Sequence, residues 1–207
     1  MRLRKRDYYY RKAKEEKLRS RAAYKLLQVV ERYGFLKRGN VVLDLGAAPG
    51  GWLQVASKIV GRPGFVLGVD LKSIEPIASP NVSTLLGDIT DAATQAAIEQ
   101  ILPDKPDAVI SDVSPNIAGV WEVDHARQID LARESMRIAL RLLKEDGSFF
   151  AKAFQGDMFE GFVREVRSCF ARVEIVKPDA SRSASAEVFV LGMGLKTGIR
   201  HETLVKG

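Results

Sequence analysis

Apolar residues fall along this chain in short blocks, and the spacing within each block differs. Between residues 15 and 33, Ala22, Leu26, Val29, Val30 and Tyr33 recur at helical spacing, which predicts one helix across that stretch. Gly34 is a stop signal and Gly39-Asn40 a turn. Apolar runs then predict strands at 41–45 (VVLDL), 65–71 (FVLGVDL), 81–88 (NVSTLLGD), 107–112 (DAVISD), 147–154 (GSFFAKAF), 171–177 (ARVEIVK) and 186–194 (AEVFVLGMG). Helical patterns separate most of them, at 51–60, 91–102, 124–143 and 157–168. The longest of these carries Ile129, Ala132, Met136, Ala139, Leu140 and Leu143 on one stripe. Residues 196–207 read as a frayed tail.

Strands alternating with helices imply an α/β fold, a mostly parallel sheet covered by helices on both faces. The last two strands are joined by only about eight residues, whereas a parallel crossover needs about a dozen or more. The last strand is therefore expected to run antiparallel.

Composition narrows the class. A chain of 207 residues suits one domain, and its 46% hydrophobic content is that of a globular protein. No apolar run approaches the ~20 residues of a membrane span. The opening MRLRKRDYYYRK lacks the apolar core of a secretory signal. Cys169 is the one cysteine, which excludes an intramolecular disulfide framework and a cysteine-based zinc site. No metal and no membrane are expected, and the location is expected to be cytoplasmic.

Charge changes this picture, because the net +6 is unevenly placed. Residues 1–25 hold eleven basic groups against Asp7, Glu15 and Glu16, so this segment is +8 and the other 182 residues sum to −2. Such an asymmetry points to a polyanion partner, with Tyr8, Tyr9 and Tyr10 available to stack on bases. Arg2, Arg4, Lys5, Arg6, Arg11, Lys12, Arg19 and Arg21 are the candidate RNA contacts. The plainer alternative is a solvated basic helix.

In an open α/β sheet, ligands bind beyond the carboxyl ends of the strands. Asp44, Gly46, Pro49, Gly50, Gly51 and Trp52 occupy the first such end, where glycines let a backbone approach a ligand. Asp70 ends the second strand, where a carboxylate can accept hydrogen bonds from ribose hydroxyls. The spacing argues against a dinucleotide, since Ala48 stands where G-x-G-x-x-G needs its second glycine. An acidic residue opening the turn would repel a pyrophosphate but suits a cationic ligand such as S-adenosylmethionine. Asp88, ending the third strand, could bind an adenine amino group. Ordinary turn chemistry explains one such aspartate, but Asp44, Asp70, Asp88 and Asp112 all fall at one sheet edge.

Lys152 interrupts an apolar strand, where an unpaired ammonium would be costly to bury. Asp112 ends a neighbouring strand and could pair with it. Lys25 flanks the stripe of the first helix, and Glu187 enters the last strand. Taken alone, Lys25 reads as a solvated helix lysine and Glu187 as an edge-strand charge. Spacing does not show that the four meet.

The ordered segments RSRAAYKL, VVLDLGAAPGGW, GVDL, GD, SDVSPN, AKAFQG and KPDASRSASAEVFVLG, spanning about residues 7–195, resemble the FtsJ (RlmE) family of ribosomal RNA ribose 2′-O-methyltransferases. The resemblance implies a Rossmann-like class I methyltransferase fold, a seven-stranded sheet with its last strand antiparallel. It implies a catalytic set of Lys25, Asp112, Lys152 and Glu187, with Lys152 as proton acceptor. It implies S-adenosylmethionine held by Gly50, Trp52, Asp70, Asp88 and Asp112. The implied substrate is a uridine 2′-hydroxyl in large-subunit ribosomal RNA, on the assembled large ribosomal subunit, with the enzyme a monomer. Residues 1–24 then read as a basic RNA-binding extension, 25–195 as the methyltransferase domain and 196–207 as a tail. Two alternatives stay open: a transfer RNA or messenger-RNA-cap enzyme using the same four residues, and a non-catalytic RNA-binding ribosome-assembly factor. His125 and His201 have no partners at metal-ligand spacing, and Trp121 reads as a loop residue, either a lid over the substrate or packing.

Overall fold

Side chains alternate across a strand, and here each face of the sheet builds its own core. The computed structural model describes residues 2–182 and 184–198, with side chains from residue 8 onward. In β1 (Val41–Leu45), Leu43 and Leu45 join one core while Val42 joins the other, which places Asp44 on the Val42 face. The same division separates Val109 from Ile110 in β4 (Ala108–Ser111) and Phe149 from Phe150 in β5 (Ser148–Phe154). The Leu43 face is covered by α4 (Ala92–Ile101), α5 (Trp121–Leu142) and α6 (Phe159–Cys169). The Val42 face is covered by α2 (Ala23–Tyr33) and α3 (Gly51–Val60). Cys169 is buried in the first core.

With β2 (Phe65–Asp70), β3 (Val82–Leu86), β6 (Phe170–Val176) and β7 (Glu187–Leu195), the sheet has seven strands in the order β3-β2-β1-β4-β5-β7-β6. Strands β1 to β5 are parallel, and β7 runs antiparallel to both β5 and β6, as the short connection required. The order reverses between β1 and β4, so the turn after β1 and the end of β4 flank the crevice where such sheets bind ligands.

One predicted element is wrong. The helix expected over 15–33 is two helices, α1 (Arg2–Glu15) and α2, separated by residues 16–22. Lys17 takes a left-handed conformation (φ 55°). The Leu18 N–H reaches Ala13 O at 2.7 Å and the Lys17 N–H reaches Lys14 O at 3.2 Å, the hydrogen-bond pair of a Schellman stop. Leu18 and Ala13 meet in the small cluster beneath, which supplies the apolar contact of that motif. A lysine rather than a glycine takes the left-handed position, so the sequence carried no stop signal there. A second difference concerns Trp121, which is the first residue of α5 and not part of the preceding loop. The far tail, residues 199–207 with His201, lies outside the described residues.

Candidate active site

The turn after β1 is built for close approach. Gly46 has φ 75°, and a Cβ there would stand 2.8 Å from the Val113 backbone, just beyond Asp112. Gly50 caps α3 at φ 103°, and no side chain caps that helix. The first backbone N–H groups of α3 therefore point out of the turn without intrahelical acceptors.

Two of the four strand-end aspartates are engaged by nearby backbone N–H groups. Asp70 accepts the Ala48 N–H at 2.9 Å through one oxygen and the Lys72 N–H at 2.8 Å through the other, so it ties β2 to the turn. Asp88 accepts both the backbone N–H (2.9 Å) and the hydroxyl (2.7 Å) of Thr90, and these bonds lower its pKa. Asp44 is different. It is fully buried opposite Gly68, and neither oxygen has a hydrogen-bond partner. Burial first, then repulsion from Asp112 and Asp70, raises its pKa well above the ordinary carboxylate range.

Lys25, Asp112, Lys152 and Glu187 meet as two ion pairs. Lys25 Nζ lies 2.6 Å from Glu187 Oε1, and Lys152 Nζ lies 3.0 Å from Asp112 Oδ1. Lys152 also donates to the Asp112 carbonyl at 2.8 Å and to the Ser114 hydroxyl. It is 5% exposed, so β5 does bury its lysine, which is held by two hydrogen bonds and paired in charge with the Asp112 carboxylate. The β5–β7 register sets Lys152 opposite Phe189 and Phe154 opposite Glu187. Lys152 and Glu187 are thus diagonal neighbours on one sheet face, where such pairs stand about 7–8 Å apart. Lys25 spans the same ground, with Nζ 5.4 Å from the Phe189 ring centre.

The structure adds positioning residues that the sequence reading missed. Ser114 meets Lys152, and Ser181 donates to Glu187 Oε1 at 2.9 Å. Both lie inside segments that carried the family resemblance, SDVSPN and KPDASRSASAE, and that was their only signal. Buried Gln128 donates to the carbonyls of Val113 and Lys152, each at 3.2 Å, locking the loop after Asp112 to β5. No pattern in the sequence marks it.

Several residues expected to contact ligands have partners within the chain. The Arg19 guanidinium donates to the carbonyls of Pro49, Glu75 and Pro76, and its backbone N–H donates to Gln54. It clamps the N-terminal segment to the turn. The Trp52 indole donates to Ala22 O at 2.8 Å and stacks on Phe150, so its side chain is held within the chain's own core. Tyr9 packs against Tyr24 and accepts from Gln28, which anchors α1, whereas Tyr8 and Tyr10 are exposed. Lys12 lies over the Tyr24 ring and 3.7 Å from Glu16. Arg11 and Arg21 also have partners. The side chains of Arg2, Arg4, Lys5 and Arg6 lie outside the described residues.

Among the described residues no cluster of His, Cys, Asp and Glu could hold a metal ion, and no helix is long and apolar enough to cross a membrane. His125 is buried and accepts the Met158 N–H at 3.1 Å through Nε2.

Comparison with known proteins follows the same outline. Residues 18–195 match the FtsJ-like methyltransferase family. The chain is 50% identical over 191 residues to ribosomal RNA large subunit methyltransferase E of Methanocaldococcus jannaschii, which covers 91% of this chain and 78% of that protein. It is 52% identical over 189 residues to the protein of the same name from Methanothrix thermoacetophila, covering 91% and 72%. A crystal structure described as a ribosomal RNA methyltransferase of Plasmodium falciparum superposes with a TM-score of 0.77 at 26% identity, covering 86% of this chain and 98% of that one. The fibrillarin pre-rRNA processing protein of Methanococcus jannaschii shares the fold, with a TM-score of 0.56 at 18% identity over 78% of this chain and 69% of that one. With the match running from Leu18 to Leu195 and half the residues identical to its relatives, the chain belongs to the FtsJ-like methyltransferase family.

Proposed function

We propose that this protein methylates the ribose 2′-hydroxyl of a uridine in large-subunit ribosomal RNA, with S-adenosylmethionine as methyl donor. The observation that carries this reading is the pair of ion pairs, Lys25–Glu187 and Lys152–Asp112, on the sheet face beside the glycine turn. The names of the relatives, large subunit methyltransferase E, favour ribosomal RNA over transfer RNA or a messenger-RNA cap. A ribosomal substrate places the enzyme in the cytoplasm, where we expect it to act as a monomer on the assembled subunit.

The residues fit such a donor. Asp44 has two buried oxygens with no partner, and Asp70 and Asp112 add negative charge around it. A positively charged ligand relieves that repulsion. The N-terminus of α3 at Gly51 and Trp52, which no side chain caps, suits a carboxylate. Asp70 stands at the end of β2 for ribose hydroxyls, and Asp88 at the end of β3 for the adenine amino group. When bound, the donor supplies an electrophilic methyl on a sulfonium.

The chain's own part is positioning and proton handling. In-line attack needs the 2′-oxygen held close and aligned, which is worth much of the acceleration when the electrophile is already reactive. Lys152 and its ring of oxygens form the polar floor for that hydroxyl. The hydroxyl proton must leave, and Lys152 Nζ is the basic atom placed to take it. To accept that proton, Nζ must be a neutral amine at the moment of transfer. As an ammonium it orients the 2′-oxygen and stabilises the charge developing there.

Asp70→Ala should weaken S-adenosylmethionine binding by about tenfold or more, since hydrogen bonds to a charged group are worth about 1.5–3 kcal/mol. Calorimetry giving unchanged affinity would refute its ribose role. Replacing several basic residues of 2–14 by glutamine should weaken RNA binding and flatten its salt dependence by about 0.7–0.9 in log–log slope per lost phosphate contact. An unaltered slope would remove that segment from the RNA interface.

A further inference from the structure

The loop from Asp112 to α5 ends in exposed apolar side chains. Ile117 is 65% exposed, Val120 51% and Trp121 46%. Surface of this kind, clustered where the loop meets α5, usually marks an interaction site.

The loop is held in shape. Asp124, 5% exposed, accepts the N–H groups of Ala118 at 2.7 Å and Gly119 at 3.0 Å. Its own N–H donates to Val120 O at 2.9 Å. The Trp121 ring lies nearly parallel to His125 (5.6 Å between centres, 19°) and to Phe154 (6.1 Å, 17°). His125 is itself fixed by the Met158 N–H, and a Cβ at Gly156 would meet its ring. The indole is therefore held in one plane while almost half of it is open. An exposure of 46% is large for a tryptophan with two ring partners.

The placement of that plane gives it meaning. Phe154, on which Trp121 stacks, lies opposite Glu187 in the sheet and two residues from Lys152 on the same strand face. The loop that leads into α5 at Trp121 begins at Asp112, the partner of Lys152. Trp121 thus stands at the edge of the four-residue site, on the side away from the glycine turn after β1. A rigid aromatic face beside a ribose-reacting site suits a nucleobase, because every base has a π-face to stack.

We propose that Trp121, flanked by Ile117 and Val120, is a stacking platform for a base of the substrate RNA beside the nucleotide whose ribose meets Lys152. The proposal rests on the reading of the protein as an RNA ribose methyltransferase. Asp124 and His125 are positioning residues for this platform.

The chain has two tryptophans, and Trp52 is buried, so the emission of Trp121 can be isolated by comparison with Trp121→Phe. Titrating the full-length protein with a short oligouridylate should quench the wild-type emission, and the quench should be lost in Trp121→Phe. In steady-state methylation of large-subunit ribosomal RNA, Trp121→Ala should raise KM for RNA by about tenfold, with kcat and S-adenosylmethionine affinity near wild type. Trp121→Phe should restore most of the KM. Equal quenching in wild type and Trp121→Phe, no quenching in either, or an unchanged KM in Trp121→Ala would overturn the platform. Absence of methyl transfer by the wild type would instead overturn the underlying activity, and the fluorescence titration would still decide the platform.

Discussion

Lys152→Ala is expected to lower methyl transfer by about 10²–10⁴-fold, the usual worth of a positioned acid–base group. S-adenosylmethionine should still bind, because every contact proposed for it comes from the turn after β1 and the ends of β2, β3 and β4. The fold should survive as well. The substitution leaves the Asp112 carboxylate without its cation, but that side chain is 20% exposed, so part of its charge stays open to water. Lys152→Arg then separates the two roles open to the lysine. A guanidinium stays charged at any working pH and does not accept a proton. If Lys152 acts only as a cation that steadies the 2′-oxygen, Arg should retain a substantial part of the activity. If Nζ must take the proton, Arg should be as inactive as Ala. Near-normal turnover in Lys152→Ala, measured with bound donor and intact circular dichroism, would remove Lys152 from the chemistry altogether.

Asp44→Asn is expected to act in opposite directions on stability and on donor binding. The buried Asp44 carboxyl holds its proton to a higher pH than an unfolded aspartate does. Between the ordinary aspartate value of about 3.9 and the raised folded value, the native state binds more protons than the unfolded state. Stability from this group is therefore complete below the unfolded value and is lost as pH rises towards the folded one. An asparagine does not titrate, so Asp44→Asn should flatten that part of the stability–pH profile and raise Tm at neutral pH in the absence of ligand. The same substitution should weaken S-adenosylmethionine binding by about 10- to 100-fold, the loss of one charge-assisted contact worth about 1.5–3 kcal/mol. Thermal melts across pH with parallel calorimetry check both halves. A variant that loses stability at neutral pH and binds the donor unchanged would contradict this account of Asp44.

Much of the fold was legible because strand periodicity is a strong signal. VVLDL, DAVISD and GSFFAKAF alternate between two buried faces, and such runs read as central strands even without partners in view. The antiparallel β7 followed from connection length alone. The break at Lys17 was not legible, since its stop motif uses backbone hydrogen bonds and a non-glycine residue in a left-handed conformation. The apolar stripe of α2 simply continued the pattern across it.

The site was legible in types but not in pairs. Lys152 betrayed itself as a charge inside an apolar strand, and Asp112 as a strand-end carboxylate near it. Lys25 and Glu187 had ordinary readings on their own elements. Only the register that sets Glu187 diagonal to Lys152, and the packing of α2 on that face, brings them together. Arg19 shows a second limit. Its charge and position suggested a phosphate contact, and the fold adds a role the sequence did not show, hydrogen bonds to three carbonyls of the chain itself. Charge counting records that a group is present, not where its hydrogen bonds already go.

The most direct test is a labelled-methyl assay with the purified protein and S-adenosylmethionine, offering large ribosomal subunits, free large-subunit ribosomal RNA and transfer RNA in parallel. The account predicts label in the large-subunit ribosomal RNA, recovered on digestion as a 2′-O-methyluridine, and no label when Lys152 is alanine. Label confined to transfer RNA, or on a base rather than a ribose, or no label in any RNA from an enzyme that binds the donor, would contradict it.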